Sequence, residues 1–161
     1  QPIKITKGIT LESGNSNLEI AYLLEGLPLG QQFHFSVEFN FAGLPAACDD
    51  RYFYDGDRRR LGHLGAHLDL RDATAIGLVD EYLGIDVGLK SSRACGVWTY
   101  PVETVSQSEG GFELVHQSVV VQPHWLVEAD SAGRWIVTME LSIDTSLAER
   151  RRRQPALAAV R

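Results

Sequence analysis

The chain has 161 residues, 44% of them apolar and 22% charged, with a formal net charge of −6. That suits one globular core and lacks the basic footprint of a general nucleic-acid binder. No apolar run approaches the ~20 residues that cross a bilayer as a helix, and no basic-then-apolar leader pattern opens the chain.

Residues 2–12, "PIKITKGITLE", alternate at once, so a chain that starts at Gln1 without Met reads as a piece of something longer. "NLEIAYLLE" follows, with Leu18, Ile20, Tyr22 and Leu24 on one face. "QFHFSVEFNF" (32–41) is stricter: Phe33, Phe35, Val37, Phe39 and Phe41 on one face, Gln32, His34, Ser36, Glu38 and Asn40 on the other. "CDDRYFYDGDRRRLG" (48–62) reads as a solvated loop with internal Arg–Asp pairs. Its acids Asp49, Asp50, Asp55 and Asp57 lack the spacing and the late Glu of a twelve-residue calcium loop. Further strands are predicted over 66–71, 75–80, 83–89, 93–100, 101–107 and 111–121, separated by turn-forming punctuation. "RWIVTMELSI" then alternates Trp135, Val137, Met139, Leu141 and Ile143 against polar neighbours. The tail, 145–161, holds helix formers and five arginines, and predicts a short helix with a solvated charge cluster.

Strands with one dry and one wet face belong to antiparallel sheets, and two such sheets about 10 Å apart shelter each other's apolar side. The expected fold is therefore all-β, an antiparallel β-sandwich over 1–144 with a tail over 145–161. Cys48 and Cys95 stand far apart, which is neither a disulfide framework nor a zinc pattern, and fits a reducing, cytoplasmic compartment.

The stretch "YPVETVSQSEGGFELVHQS" (100–118) has the residue types of a hydrolase site. Gly110 and Gly111 make its centre a hairpin turn holding Glu109, and alternation places Phe112, Leu114, His116 and Ser118 opposite Glu113, Val115 and Gln117. Glu113 and His116 therefore cannot pair, and no exposed serine elbow sets up a triad. His63 and His67 lie in a glycine-broken stretch without further ligands, so neither a metal nor a cofactor is expected. Trp135 belongs to an apolar face and is predicted core. Trp98 and Tyr100 share a face, and Trp125, after Pro123 and His124, is placed at a strand end where exposure is expected. These three are candidates to stack on sugar rings. His34 and Glu38, on the wet face of their strand, are candidate partners for hydroxyls.

Three stretches, "FHFSVEFNFAGL" (33–44), "DDRYFYDG" (49–56) and "VETVSQSEGGFELVHQS" (102–118), together resemble the C-terminal domain of family 57 glycoside hydrolases, the α-amylase and 4-α-glucanotransferase group. The resemblance runs over about residues 2–144. It implies a galactose-mutarotase-like supersandwich that packs on an N-terminal catalytic (β/α)-barrel of the same polypeptide. It also implies a substrate class of α-glucans, while the acidic balance and the lack of a spanning apolar run leave no nucleic acid and no membrane among the expected partners. The barrel carries the catalytic carboxylates in that family, and none of its motifs occurs here, so no catalytic residue is assigned. A carbohydrate-binding module is the alternative, and a stand-alone mutarotase a further one, with His34 and Glu38 or His116 and Glu103 as its only possible acid–base pairs.

Overall fold

The computed structural model describes residues 2–42, 46–108 and 110–158, the side chains of Ser108 and 154–158 excepted. Glu109, part of the stretch 33–44 and the end of the tail lie outside the described residues. The elements are β1 (Lys4–Leu11), β2 (Asn17–Glu25), β3 (Gln32–Ser36), β4 (Phe39–Ala42), β5 (Arg51–Asp55), β6 (Arg60–His63), β7 (Leu68–Asp80), β8 (Ile85–Ser108), β9 (Gly111–Glu128), β10 (Arg134–Asp144) and α1 (Ser146–Ala158). Every described strand pairing is antiparallel.

One long strand organises the rest. The first part of β8, Asp86–Ser91, takes β10 on one edge, and its second part, from Gly96, takes β9 instead. β7 follows β8 along the opposite edge, from Ile85 to Thr99. The sheet thus splits into two leaves. One runs β1-β2-β10-β8 and the other runs through β9 to β3 and β4. The leaves close on each other through aromatic side chains. Phe35 of β3 meets Tyr22 of β2 at 5.6 Å and Trp135 of β10 at 5.7 Å between ring centroids, and Trp125 of β9 meets Trp135 at 5.6 Å. With Val119, Val121, Val127, Val137, Leu78 and Phe53 these rings form one continuous core, as expected for an all-β sandwich.

Several elements differ from the sequence-based expectation. The strand predicted over 32–41 is two strands, both paired to β9, with a break at Val37 and Glu38. Val37 donates its backbone N–H to the Pro123 carbonyl at 3.0 Å, and Pro123 has no N–H to return, so the ladder is interrupted there. The charged stretch 48–62 is not a loop but the hairpin β5–β6, although its expected ion pairs are present, Arg59 to Asp55 at 2.8 Å and to Asp57 at 2.9 Å. The segments 83–89, 93–100 and 101–107 are one strand. A register shift between Val102 and Glu103 leaves Gln117 unpaired and sets Ser118 opposite Val102, which turns Ser118 to the other side from His116.

The helix α1 starts where Asp144 accepts the Ser146 N–H at 2.7 Å, a bond that holds the Asp144 carboxyl below the usual carboxylate range. Its Arg151 is not merely solvated: it donates to the Glu81 and Tyr82 carbonyls at 2.6 and 3.0 Å and ties the helix to the β7–β8 turn.

Candidate functional site

The wet face of the second leaf carries the candidate residues. Along β8, Cys95, Val97 and Thr99 are buried, so Gly96, Trp98 and Tyr100 face outward, each half-buried. Register places Gly96 opposite His124 and Trp98 opposite Gln122 on β9, and Ser36 of β3 opposite His124. His34 reaches the same surface diagonally.

There the rings form a compact group. Trp98 stacks on His124 with centroids 3.9 Å apart and planes 26° apart. His34 meets the edge of Trp98 at 5.5 Å, and its Nε2 lies 3.0 Å from His124 Nδ1, a separation that holds one shared proton. Burial pushes the His124 imidazole below its ordinary range, the neighbouring His34 adds to this, and Asp69 opposes it. The group lines an open groove of about 860 Å³, whose other wall is Asp69, Arg71 and Asp72 of β7 and Arg93 of β8. Arg93 is fixed by a bond to the Ile136 carbonyl at 2.7 Å.

Tyr100 and Glu38 form a separate, neighbouring cluster. The Tyr100 hydroxyl donates towards Gln122 at 3.2 Å and Glu38 at 3.4 Å, and Asn40 donates to the other Glu38 oxygen at 2.6 Å. Ser118 bonds Asn40 at 3.2 Å, and Gln122 donates to Ser36 at 3.1 Å. Burial first, and the Glu38 charge second, push the Tyr100 hydroxyl up.

Trp125 is not exposed, which corrects the expectation for it. β9 does not end there, because β3 pairs with it as far as Glu128. Alternation then turns His124 out and Trp125 in, where it is 5% exposed and stacks on Phe35 at 6.0 Å. Trp98, Tyr100 and Trp125 therefore do not form one platform. Glu103 and His116 are register partners across the β8–β9 hairpin. Sequence reasoning missed the groove's β7 wall. Asp69, Arg71 and Asp72 show no motif; Asp69 is the register partner of Trp98, and a register shift follows Leu70 where Arg71 and Asp72 lie. No group of three or more His, Cys, Asp or Glu among the described residues is placed to hold a metal, and no helix is long and apolar enough to cross a membrane.

Residues 1–139 match the model of the family described as alpha-amylase/4-alpha-glucanotransferase, C-terminal. The chain belongs to that family. The resemblance carried by 33–44, 49–56 and 102–118 agrees with this membership. Alpha-amylase 1 of Dictyoglomus thermophilum is 24% identical over 140 residues, covering 84% of this chain and 19% of that protein. The solved structure of the 4-alpha-glucanotransferase from Thermococcus litoralis superposes with a TM-score of 0.60 at 22% identity, over 88% of this chain and 18% of that one, a likeness of fold. This family member thus spans about a fifth of the length of the relatives it matches.

Proposed function

We propose that this chain is the non-catalytic C-terminal module of a cytoplasmic enzyme acting on α-glucans, an α-amylase or 4-α-glucanotransferase. Residues 1–144 form the module, 145–161 its tail, and the module packs on and supports the catalytic barrel. The observation that carries this reading is strand β1. It pairs along its whole length with β2, and Ile5, Ile9 and Leu11 stand opposite the core residues Leu24 and Ile20 and the half-buried Leu18. They point to the core side, yet they are 55%, 58% and 67% exposed. Lys7 stands between Ile5 and Ile9 with its ammonium 5.6 Å from the Tyr22 ring centroid, yet three large apolar side chains on one face of a sheet edge are still an open surface that a monomer rarely leaves uncovered. Relatives in the family are about five times longer, which leaves room in the same polypeptide for a domain that covers it.

The test compares the isolated chain with the full enzyme carrying Ile5→Lys and Ile9→Lys. The isolated chain is expected to keep its melting temperature, since both residues already face water. The full enzyme is expected to inactivate faster on heating. An unchanged inactivation rate removes the basis of this reading.

A second reading, glucan binding, is favoured by the open groove beside Trp98. On it Trp98 and His34 contact sugar directly, Tyr100 and Glu38 extend the polar surface, and Trp125 supports them from the core. Calorimetry with maltooligosaccharides tests it, and absence of heat at millimolar sugar counts against it.

A further inference from the structure

The geometry points to a pyranose subsite in the groove between β7 and β3, built from Trp98, His34, Asp69, Arg71 and Asp72, with the adjoining Tyr100–Glu38 cluster left out of it. This rests on the glucan-binding reading above and says where on the face such a sugar sits.

The lining has the two chemistries a pyranose needs. A sugar ring offers an apolar face of C–H groups and a rim of hydroxyls. Trp98 supplies a half-buried indole for the first. Asp69, Arg71, Asp72 and His34 supply donors and acceptors of both kinds for the second, around a space of about 860 Å³.

The aromatic wall is already fixed. Trp98 is held by the His124 stack at 3.9 Å and by the His34 edge at 5.5 Å. His124 is in turn bonded to His34 and seated over Gly96. A ring that is immobile before the ligand arrives loses little rotamer freedom on binding.

The polar wall is unoccupied and irregular. The side chains of Asp69, Arg71 and Asp72 make no hydrogen bond or ion pair with described residues. In contrast, Glu38, Asn40, Tyr100, Gln122 and Ser118 satisfy one another, so a sugar placed over them must first break those bonds. Along the groove, β7 shifts register between Leu70 and Ala73 and again before Ala75, and Asp72 adopts φ 54°. Left-handed backbone is unfavourable for a non-glycine residue and concentrates where side chains are aimed at a ligand.

The experiment titrates the chain with maltose and maltotriose by calorimetry, comparing wild type, Trp98→Ala and Arg71→Ala, with melting curves for each. Arg71 is exposed and unbonded, so its variant is expected to fold as the wild type does. Both substitutions are expected to weaken maltotriose binding at least tenfold. Binding that survives Arg71→Ala and is lost in Tyr100→Phe or Glu38→Gln overturns the inference and leaves the glucan-binding reading standing. A groove that takes inorganic sulfate through Arg71 and no sugar overturns both, as does wild-type protein that gives no heat with either sugar.

Discussion

The imidazole of His124 lies across Gly96, so close that a Cβ on Gly96 would stand 2.2 Å from its Cε1. The two residues are register partners, and an ordinary side chain at 96 would hold the ring away from the sheet. Glycine lets the ring lie flat and reach Trp98. Gly96→Ala therefore expels His124 and removes the stack. The expected cost is about 1–3 kcal/mol, as for other overpacked sites, together with a change in tryptophan fluorescence. Unfolding and emission curves that both coincide with wild type would sink this account.

His124 also predicts a pH dependence. Burial depresses its folded pKa, with His34 adding and Asp69 opposing. The unfolded chain takes up a proton near the ordinary value of about 6.5, while the folded chain resists. The stability tied to this group is full above that pH and is lost as pH falls towards the folded value. Melting temperatures between pH 7.5 and 5.5 should fall more steeply for wild type than for His124→Gln. Parallel profiles would show that the ring is not depressed.

At the far end of the sheet, Arg51 Nε donates to Asp80 at 2.8 Å, and the Asp80 side chain is 0% exposed. The Leu83 N–H also reaches that carboxylate, at 2.8 Å. Arg51→Met keeps the volume and leaves the buried charge without its cation, at an expected cost of about 3–5 kcal/mol. The double variant Arg51→Met/Asp80→Asn should recover part of the loss. Urea melts of wild type and these two variants check this, and an Arg51→Met protein within about 1 kcal/mol of wild type contradicts it.

Burial pushes the Cys95 thiol up to about 11. Its Sγ lies 3.2 Å from the Ala73 carbonyl, inside the fork of the sheet. Only the thiolate alkylates quickly. Iodoacetamide at pH 8 should modify folded protein at half-buried Cys48 and spare Cys95 until denaturant is added. Equal labelling of both in native protein would mean that the fork opens.

Strand character was legible wherever one face is wet and one dry, as in β2, β3 and β10. Period two needs no tertiary knowledge, so Tyr22, Phe35 and Trp135 were placed on core-facing strands from sequence. Strand length was not legible. Glycine and charge in 83–107 look like punctuation, yet β8 runs through them because β7, β9 and β10 supply partners far away in sequence. The same gap misplaced Trp125, whose exposure depended on β3 extending β9. Of the candidate site, Trp98 and His34 came from alternation, which reports a face. Asp69 came only with the pairing of β7 to β8, and Arg71 and Asp72 with the bulge that follows Leu70, which no local pattern announces.

The order of strands has a consequence for how the chain is made. Among the described residues, β1 and β2 join the rest of the sheet through β10, which lies between β2 and β8. During synthesis that hairpin leaves the ribosome well before β10, its neighbour in the sheet, which follows more than a hundred residues later. A two-stranded hairpin alone is at best marginally stable in water. The hairpin thus waits for its place in the sheet until β10 is made, and chaperone capture on the nascent chain should fall off once β10 has emerged.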